Sequence, residues 1–297
     1  MNILINGATG FIGTALIKAF QKKNNHISIL TRDKTHVSQN NLNVFESFES
    51  IDEIPSNAVF DVIINLAGAP ISKRWTRNYK KKLIESRVSV THSIYDLVKK
   101  LDTKPKIMLS ASAVGYYGNQ DNKTVLEDSE PHNEFTHQLC SLWEQEALAL
   151  KTLGVHVIII RLGVVLGRNG GMLKETSPIF KMGLGGKLGT GKQYLSWVHI
   201  DDVVQAIQFL LTKTPSSAIY NLTAPYPVTN AYWTKTLANA LKRPALLPLP
   251  ASIVKIVFGE MGNSLLLNGQ KVLPKRLEDA GFSFQYPKLK AAFLSIF

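Results

Sequence analysis

The chain has 297 residues, 45% hydrophobic and 19% charged, with a formal net charge of +12. That length supports a large core and about two average domains, and the composition excludes a disordered or low-complexity chain. A lone cysteine, Cys140, excludes an internal disulfide and fits a reducing compartment, so the expected location is the cytoplasm.

The chain enters an apolar stretch at once, without the basic segment and apolar core of a signal peptide. Its most apolar run, residues 155–166, is too short for a membrane span and carries His156 and Arg161. Basic residues are scattered, and the densest run, 80–82, falls on a helical pattern where a solvated face accounts for it. The charge therefore points to a phosphorylated cofactor or an anionic small-molecule substrate, with neither nucleic acid nor membrane as partner.

Residues 2–6 form an uncharged strand, and Gly7, Gly10 and Gly13 follow it just ahead of a helical pattern over 11–20. In a strand–turn–helix, the first glycine allows a conformation barred to residues with a Cβ. The second lets the backbone approach a pyrophosphate, and the third lets the helix pack on its strand. The free N–H groups of the helix then face an anion. Residues 26–30 form a second strand ending in Thr31, Arg32 and Asp33. Thr31 stands where an NAD-preferring fold carries an acid, and Arg32 suits the 2′-phosphate of NADP. NADP(H) is thus the expected cofactor, with Asp33 keeping NAD(H) as the alternative.

A short third strand is expected at 43–46 and a buried fourth at 60–65, running into Leu66, Ala67 and Gly68, small enough at a strand's carboxyl end to leave room for cofactor. Residues 78–100 have the spacing of one long helix. A fifth strand at 106–109 leads into SASAVGYYG, residues 110–118. Its serines and tyrosines are the local candidates for substrate chemistry, although small residues there also suit a plain turn. A helix over 134–153 ends at Gly154, before a sixth strand at 155–162. Residues 168–191 are glycine-rich and suggest a mobile loop over a site. A strand follows at 194–199, then Asp201 and Asp202 as a cap on a helix over 203–211, with His199 in a local hydrogen bond. A short strand at 220–222 and a helix at 232–241 precede a proline-spaced linker at 241–250 and a small C-terminal lobe.

NGATGFIG, NLAG, SASAVGYYG, RLGVVLG and SWVHIDD, in that order, resemble the extended short-chain dehydrogenase/reductase superfamily. KMGLGGKLGTGKQYLSWVHIDDVV and GEMGNSLLLNGQKVLPKRLEDAGF look like its atypical epimerase-family branch, the nucleoside-diphosphate-sugar-epimerase-like proteins with their own C-terminal domain. The resemblance covers essentially the whole chain. It implies an α/β fold with a Rossmann doubly wound parallel sheet of about seven strands and a small, mainly helical C-terminal substrate lobe. Residues 1–167 would be the NADP(H)-binding domain with 192–224 returning to it, 168–191 the loop over the site, and 225–297 the substrate lobe.

Residue by residue, the resemblance assigns Gly7, Thr9, Gly10, Phe11, Ile12 and Gly13 to the pyrophosphate, Arg32 to the 2′-phosphate, Leu66, Ala67 and Gly68 to the adenosine side, and Ser112 to the superfamily's catalytic serine or threonine. It implies an oxidoreductase or epimerase acting on a small polar, nucleotide-linked substrate. The superfamily's tyrosine and the lysine four residues later are missing from HQLCSLWEQEA, residues 137–147, where Cys140, Trp143 and Glu144 are the nearest candidates. Tyr116, Tyr117 or Glu144 would have to move the proton. No metal site is expected. A non-catalytic NADP(H)-binding sensor is the alternative to an enzyme, and a homodimer stays open.

Overall fold

The structure is a computed structural model describing residues 1–32, 42–168, 170–213 and 218–297. In chain order, β1 (Asn2–Asn6) leads into α1 (Phe11–Gln21), β2 (His26–Leu30), β3 (Glu46–Phe48) and β4 (Val62–Asn65). Helices α2 (Arg77–Glu85) and α3 (Val88–Lys100) precede β5 (Ile107–Ala113), β6 (Thr124–Val125) and α4 (Phe135–Ala149). Then come β7 (His156–Leu162), β8 (Val164–Gly167), α5 (Gly171–Lys181), β9 (Tyr194–Leu195), β10 (Trp197–His199) and α6 (Ile200–Lys213). The chain finishes with β11 (Ile219–Leu222), β12 (Val228–Thr229), α7 (Asn230–Leu241), α8 (Ala251–Met261), β13 (Lys271–Val272), α9 (Lys275–Asp279) and α10 (Leu289–Ile296).

Seven strands form one parallel sheet in the order β11-β7-β5-β4-β1-β2-β3. The order reverses between β1 and β4, where open α/β sheets bind ligands at their carboxyl edge. Alternation along β1 sets the layers. Ile3 and Ile5 pack with Leu16, Ile17 and Phe20 of α1 and Val203, Ile207 and Leu210 of α6. Leu4 faces the other way, into Ile94, Leu97 and Val98 of α3 and Ala147 of α4. The doubly wound α/β fold expected from the motifs is the one observed.

A third core holds the C-terminal part together. Trp197 and Leu166 of the short β10–β8 pair pack with Phe180, Trp233, Leu237 and Phe293. The tail also returns to earlier parts of the chain, for β13 pairs with β6 in a separate two-stranded sheet, and the buried Asp202 carboxylate accepts the N–H groups of Gln285 (2.6 Å) and Tyr286 (3.0 Å).

Five local expectations are corrected. The helix expected over 78–100 is two, because Ser86 Oγ accepts the Ala69 N–H and donates to the Leu83 carbonyl, turning the chain between them. The strand expected at 194–199 is β9 and β10 with different partners, divided at Ser196, whose hydroxyl bonds Gln270 and Val272. The 168–191 stretch contains α5, and its later glycines allow close backbone packing: Gly185 accepts the Leu247 N–H, and a Cβ on Gly186 would stand 1.8 Å from the Leu247 carbonyl oxygen. Asp202 is a buried tether to the tail and not a helix cap. The third strand lies at Glu46–Phe48, two to three residues later than expected.

Candidate functional site

At the carboxyl end of β1 the backbone must turn beneath the β4 loop. Gly7 has φ +80°, and a Cβ there would meet the Leu66 carbonyl carbon at 2.8 Å and the Ala67 nitrogen at 2.9 Å. A Cβ on Gly13 would stand 2.4 Å from the Gly7 carbonyl oxygen, so this glycine lets α1 pack against the turn. Gly10 is different: it is exposed, and a Cβ there would meet only the Gly7 oxygen, at 3.2 Å. Gly10 is also the N-cap of α1, with no side-chain cap and no acid in the first turn. The first-turn N–H groups of a helix have no intrahelical partner, so this turn offers donors and a positive dipole end to an anion.

Other residues assigned to the cradle have their side chains elsewhere. Ile12 packs on the core, and the Phe11 ring lies against Gly167, Gly170 and Gly171. Thr31 is buried and its N–H bonds the Phe48 carbonyl; Arg32 is exposed just beyond β2, and Asp33 lies outside the described residues. Gly68 faces the Arg87 guanidinium, whose Cζ would be 2.9 Å from a Cβ there.

The second cluster lies where β5 ends. Ser112 is buried and donates to Glu144 Oε1 at 2.6 Å. Glu144 is gripped from the other side by Arg161, through Nε at 2.9 Å and Nη2 at 2.8 Å. Burial opposes charge on Arg161, but the Glu144 carboxylate more than offsets it and raises the arginine's pKa. Arg161 Nη1 donates to the Tyr117 hydroxyl (2.9 Å), which donates to Asn221 Oδ1 (2.7 Å). Glu127 closes the group, accepting the N–H of Asn221 at 3.1 Å and of Arg276 at 3.2 Å.

This network separates the hydroxyls that sequence leaves equivalent. Tyr117 is fully buried, and burial pushes its phenol up to about 12. Tyr116 is half-buried, its ring 3.4 Å from the Arg161 guanidinium carbon and edge-on to Tyr117 and His137. Cys140 lies under the same turn, 3.9 Å from where a Gly115 Cβ would be, and burial pushes its thiol up to about 12. His199 takes the Asp201 N–H on Nδ1 at 3.1 Å, the local bond expected of it.

Arg161, Asn221, Glu127 and Arg87 were not singled out from sequence as site residues. One signal was available for Arg161, since a lone arginine inside HVIIIRL must find a buried partner.

A family model described as the NAD dependent epimerase/dehydratase family matches residues 3–223. The chain belongs to this family. A domain of unknown function (DUF1731) matches residues 249–296, in keeping with the branch-specific tail. An Arabidopsis thaliana relative, "Epimerase family protein SDR39U1 homolog, chloroplastic", is 37% identical over 305 residues, covering 100% of this chain and 86% of that protein. Epimerase family protein SAR0825 of Staphylococcus aureus is 37% identical over 293 residues, covering 97% and 96%.

Among solved structures, human epimerase family protein SDR39U1 with NADPH matches with a TM-score of 0.90 and 31% identity, covering 100% of this chain and 99% of that one. UDP-glucuronic acid 4-epimerase from Bacillus cereus, with UDP-glucuronic acid and NAD, shares the fold at a TM-score of 0.78 and 17% identity, covering 100% and 98%. The resemblance to the extended short-chain superfamily is thus borne out. Among the described residues no helix is long and apolar enough to cross a membrane, and no cluster of three or more His, Cys, Asp or Glu could hold a metal.

Proposed function

We propose that this protein is an NADP(H)-dependent oxidoreductase or epimerase-like enzyme acting on a small, anionic, nucleotide-linked substrate between the sheet edge and the C-terminal lobe. The observation that carries it is the open cradle: Gly10 exposed at an uncapped helix N-terminus, with Gly7 and Gly13 closed against backbone. Backbone N–H groups of residues 11–13 and the Thr9 hydroxyl would hold the pyrophosphate, Leu66, Ala67 and Gly68 would flank the adenosine side, and Thr31 and Arg32 would meet its ribose and 2′-phosphate. The nicotinamide supplies hydride chemistry when bound.

What this chain contributes beyond binding is proton management at the end of β5. Ser112 has its one proton directed at Glu144, so toward a ligand its oxygen can only accept. Glu144 is held by Arg161 and serves in this reading to fix Ser112 and Arg161 in place. Tyr117 donates inward to Asn221, which leaves Tyr116 as the phenol able to reach a ligand.

The test is titration with NADPH and NADH followed by nicotinamide fluorescence, with Arg32→Ala alongside. Tighter binding of NADPH, with the preference lost in the mutant, is the expected outcome; absence of binding by either nucleotide sinks the proposal. A second reading, a non-catalytic NADP(H)-binding sensor, is favoured by the commitment of Ser112 and Glu144 to each other. It predicts tight binding with no turnover across a panel of carbonyl compounds and sugar nucleotides. An enzyme would oxidise or reduce the bound nicotinamide with some member.

A further inference from the structure

Strand β13 lies beside the carboxyl ends of β5 and β11. Its Val272 is fully buried against Tyr117 and Val125, with Tyr116 packed on the same group. The backbone there is held from two sides, for the Val272 N–H bonds Ser196 Oγ at 2.9 Å and its carbonyl accepts from Thr223 Oγ1 at 3.2 Å. Successive side chains of a strand point to opposite faces, so Lys271 leaves on the other side, where its ammonium stands 5.6 Å from the centre of the Tyr194 ring. Close backbone approach makes that meeting possible: a Cβ on Gly269 would stand 2.0 Å from the Tyr194 carbonyl oxygen.

Lys271 is half-buried, and it has neither an ion pair nor a hydrogen bond among the described residues. The cations that follow it in the chain are matched, Lys275 with Asp279 and Arg276 with Asp128. An ammonium that has given up part of its hydration calls for an anion, and a ring face meets only part of that need. Asn268 lines a small cleft together with Tyr194, and its side-chain amide is likewise without a hydrogen bond among the described residues. Cation and amide thus stand on either side of the same aromatic residue, both with donors to spare.

We propose that Lys271 is a substrate-binding residue contributed by the C-terminal lobe, its ammonium taking a carboxylate or phosphate oxygen of the substrate beside the Tyr194 ring. The proposal rests on the reading of this edge as the active site of an NADP(H)-dependent enzyme, and it narrows the substrate class. Val272, the next residue, packs with Tyr116, the phenol left able to reach a ligand. The negative charge therefore belongs on or beside the unit of the substrate that reacts, and not on a distant appendage. Lysine suits either anion, because its ammonium is a point charge with rotatable donors and no fixed fork to match.

The experiment is calorimetric titration of the NADP+-loaded protein with D-glucuronate, inorganic pyrophosphate and, as the uncharged control, D-glucose. Wild type is compared with Lys271→Met, which keeps an apolar stem over Tyr194 and drops the charge, and with Lys271→Arg, which restores a charge. Saturating NADP+ keeps pyrophosphate off the glycine turn. The Met variant is expected to bind one of the two anions about tenfold or more weakly, as the loss of a charge-assisted hydrogen bond implies, with NADPH affinity unchanged and the Arg variant recovering most of the loss. Loss confined to glucuronate marks a carboxylate, and loss confined to pyrophosphate a phosphate. If wild type and the Met variant treat both anions alike, including binding neither, Lys271 is a packing stem and the proposal is overturned; an equal loss for glucose overturns it too. Should the Met variant not fold, Lys271→Gln is judged by the same criterion. Failure of wild type to bind NADP(H) would sink the functional reading itself, whereas cofactor binding with anion binding indifferent to residue 271 sinks only this one.

Discussion

The glycine turn after β1 and the polar cluster after β5 stand on the same carboxyl edge of the same sheet, and they are built in opposite ways. The turn leaves backbone donors unspent: Gly10 is exposed, no side chain caps α1, and the glycines close elsewhere against carbonyls. The cluster spends what it has, since Ser112, Glu144, Arg161, Tyr117, Asn221 and Glu127 bond one another in an unbroken chain. An open set of donors binds a ligand, whereas a closed network holds a shape.

That contrast can be broken by mutation, and the largest effect should come from the closed side. Glu144→Gln removes one partner of a buried ion pair and leaves Arg161 uncompensated, which should cost about 3–5 kcal/mol in urea unfolding while NADPH affinity of the folded protein stays as it was. Gly13→Ala should reach the cofactor as well. Its methyl would crowd the Gly7 oxygen at 2.4 Å, an overpacking cost of about 1–3 kcal/mol, with NADPH binding lost. If Glu144→Gln weakened NADPH binding as well, or Gly13→Ala left it intact, the division between the regions would be wrong.

A pH-dependent effect is expected from alkali. The Cys140 thiol and Tyr117 phenol are held up to about 12 in the fold against ordinary values of 9.0 and 10.0. The native state therefore keeps protons the unfolded chain gives up, so stability is fully present below pH 9 and falls as pH rises toward 12. Urea midpoints across that range should show the decline beginning near 9 in wild type and nearer 10 in Cys140→Ala. The smallest effect belongs to the exposed Lys80–Glu260 pair at 2.6 Å; Lys80→Ala should cost less than about 1 kcal/mol, shrinking further in high salt.

The same contrast governs what could be read from sequence. The cradle is written in adjacent residues, because backbone geometry demands glycine at fixed offsets, and so its motif was visible in the first line of the chain. Strands β1, β2 and β7 were visible for a related reason, their apolar runs being local. The cluster after β5 is written in residues far apart. Glu144 meets Arg161 across an interval of 17, and Tyr117 meets Asn221 across 104. Periodicity carries no sign of such pairings. It also joined α2 to α3, since the break between them depends on Ser86 reaching Ala69. Glycine density misled for a third reason: at Gly186 the missing Cβ makes room for a neighbouring backbone, and composition does not distinguish that from mobility.

The Glu127 carboxylate carries a consequence for how the protein is made. It lies early in the chain, but the N–H groups that occupy it come from Asn221 and Arg276, and its element β6 is paired by β13. Synthesis runs from the N-terminus, and domains tend to complete themselves as they emerge. Here an acid is translated 94 residues ahead of one partner, Asn221, and 149 ahead of the other, Arg276. The Glu127 carboxylate can be filled only once both of those segments have emerged, and a nascent chain stalled before Arg276 would leave it partly open.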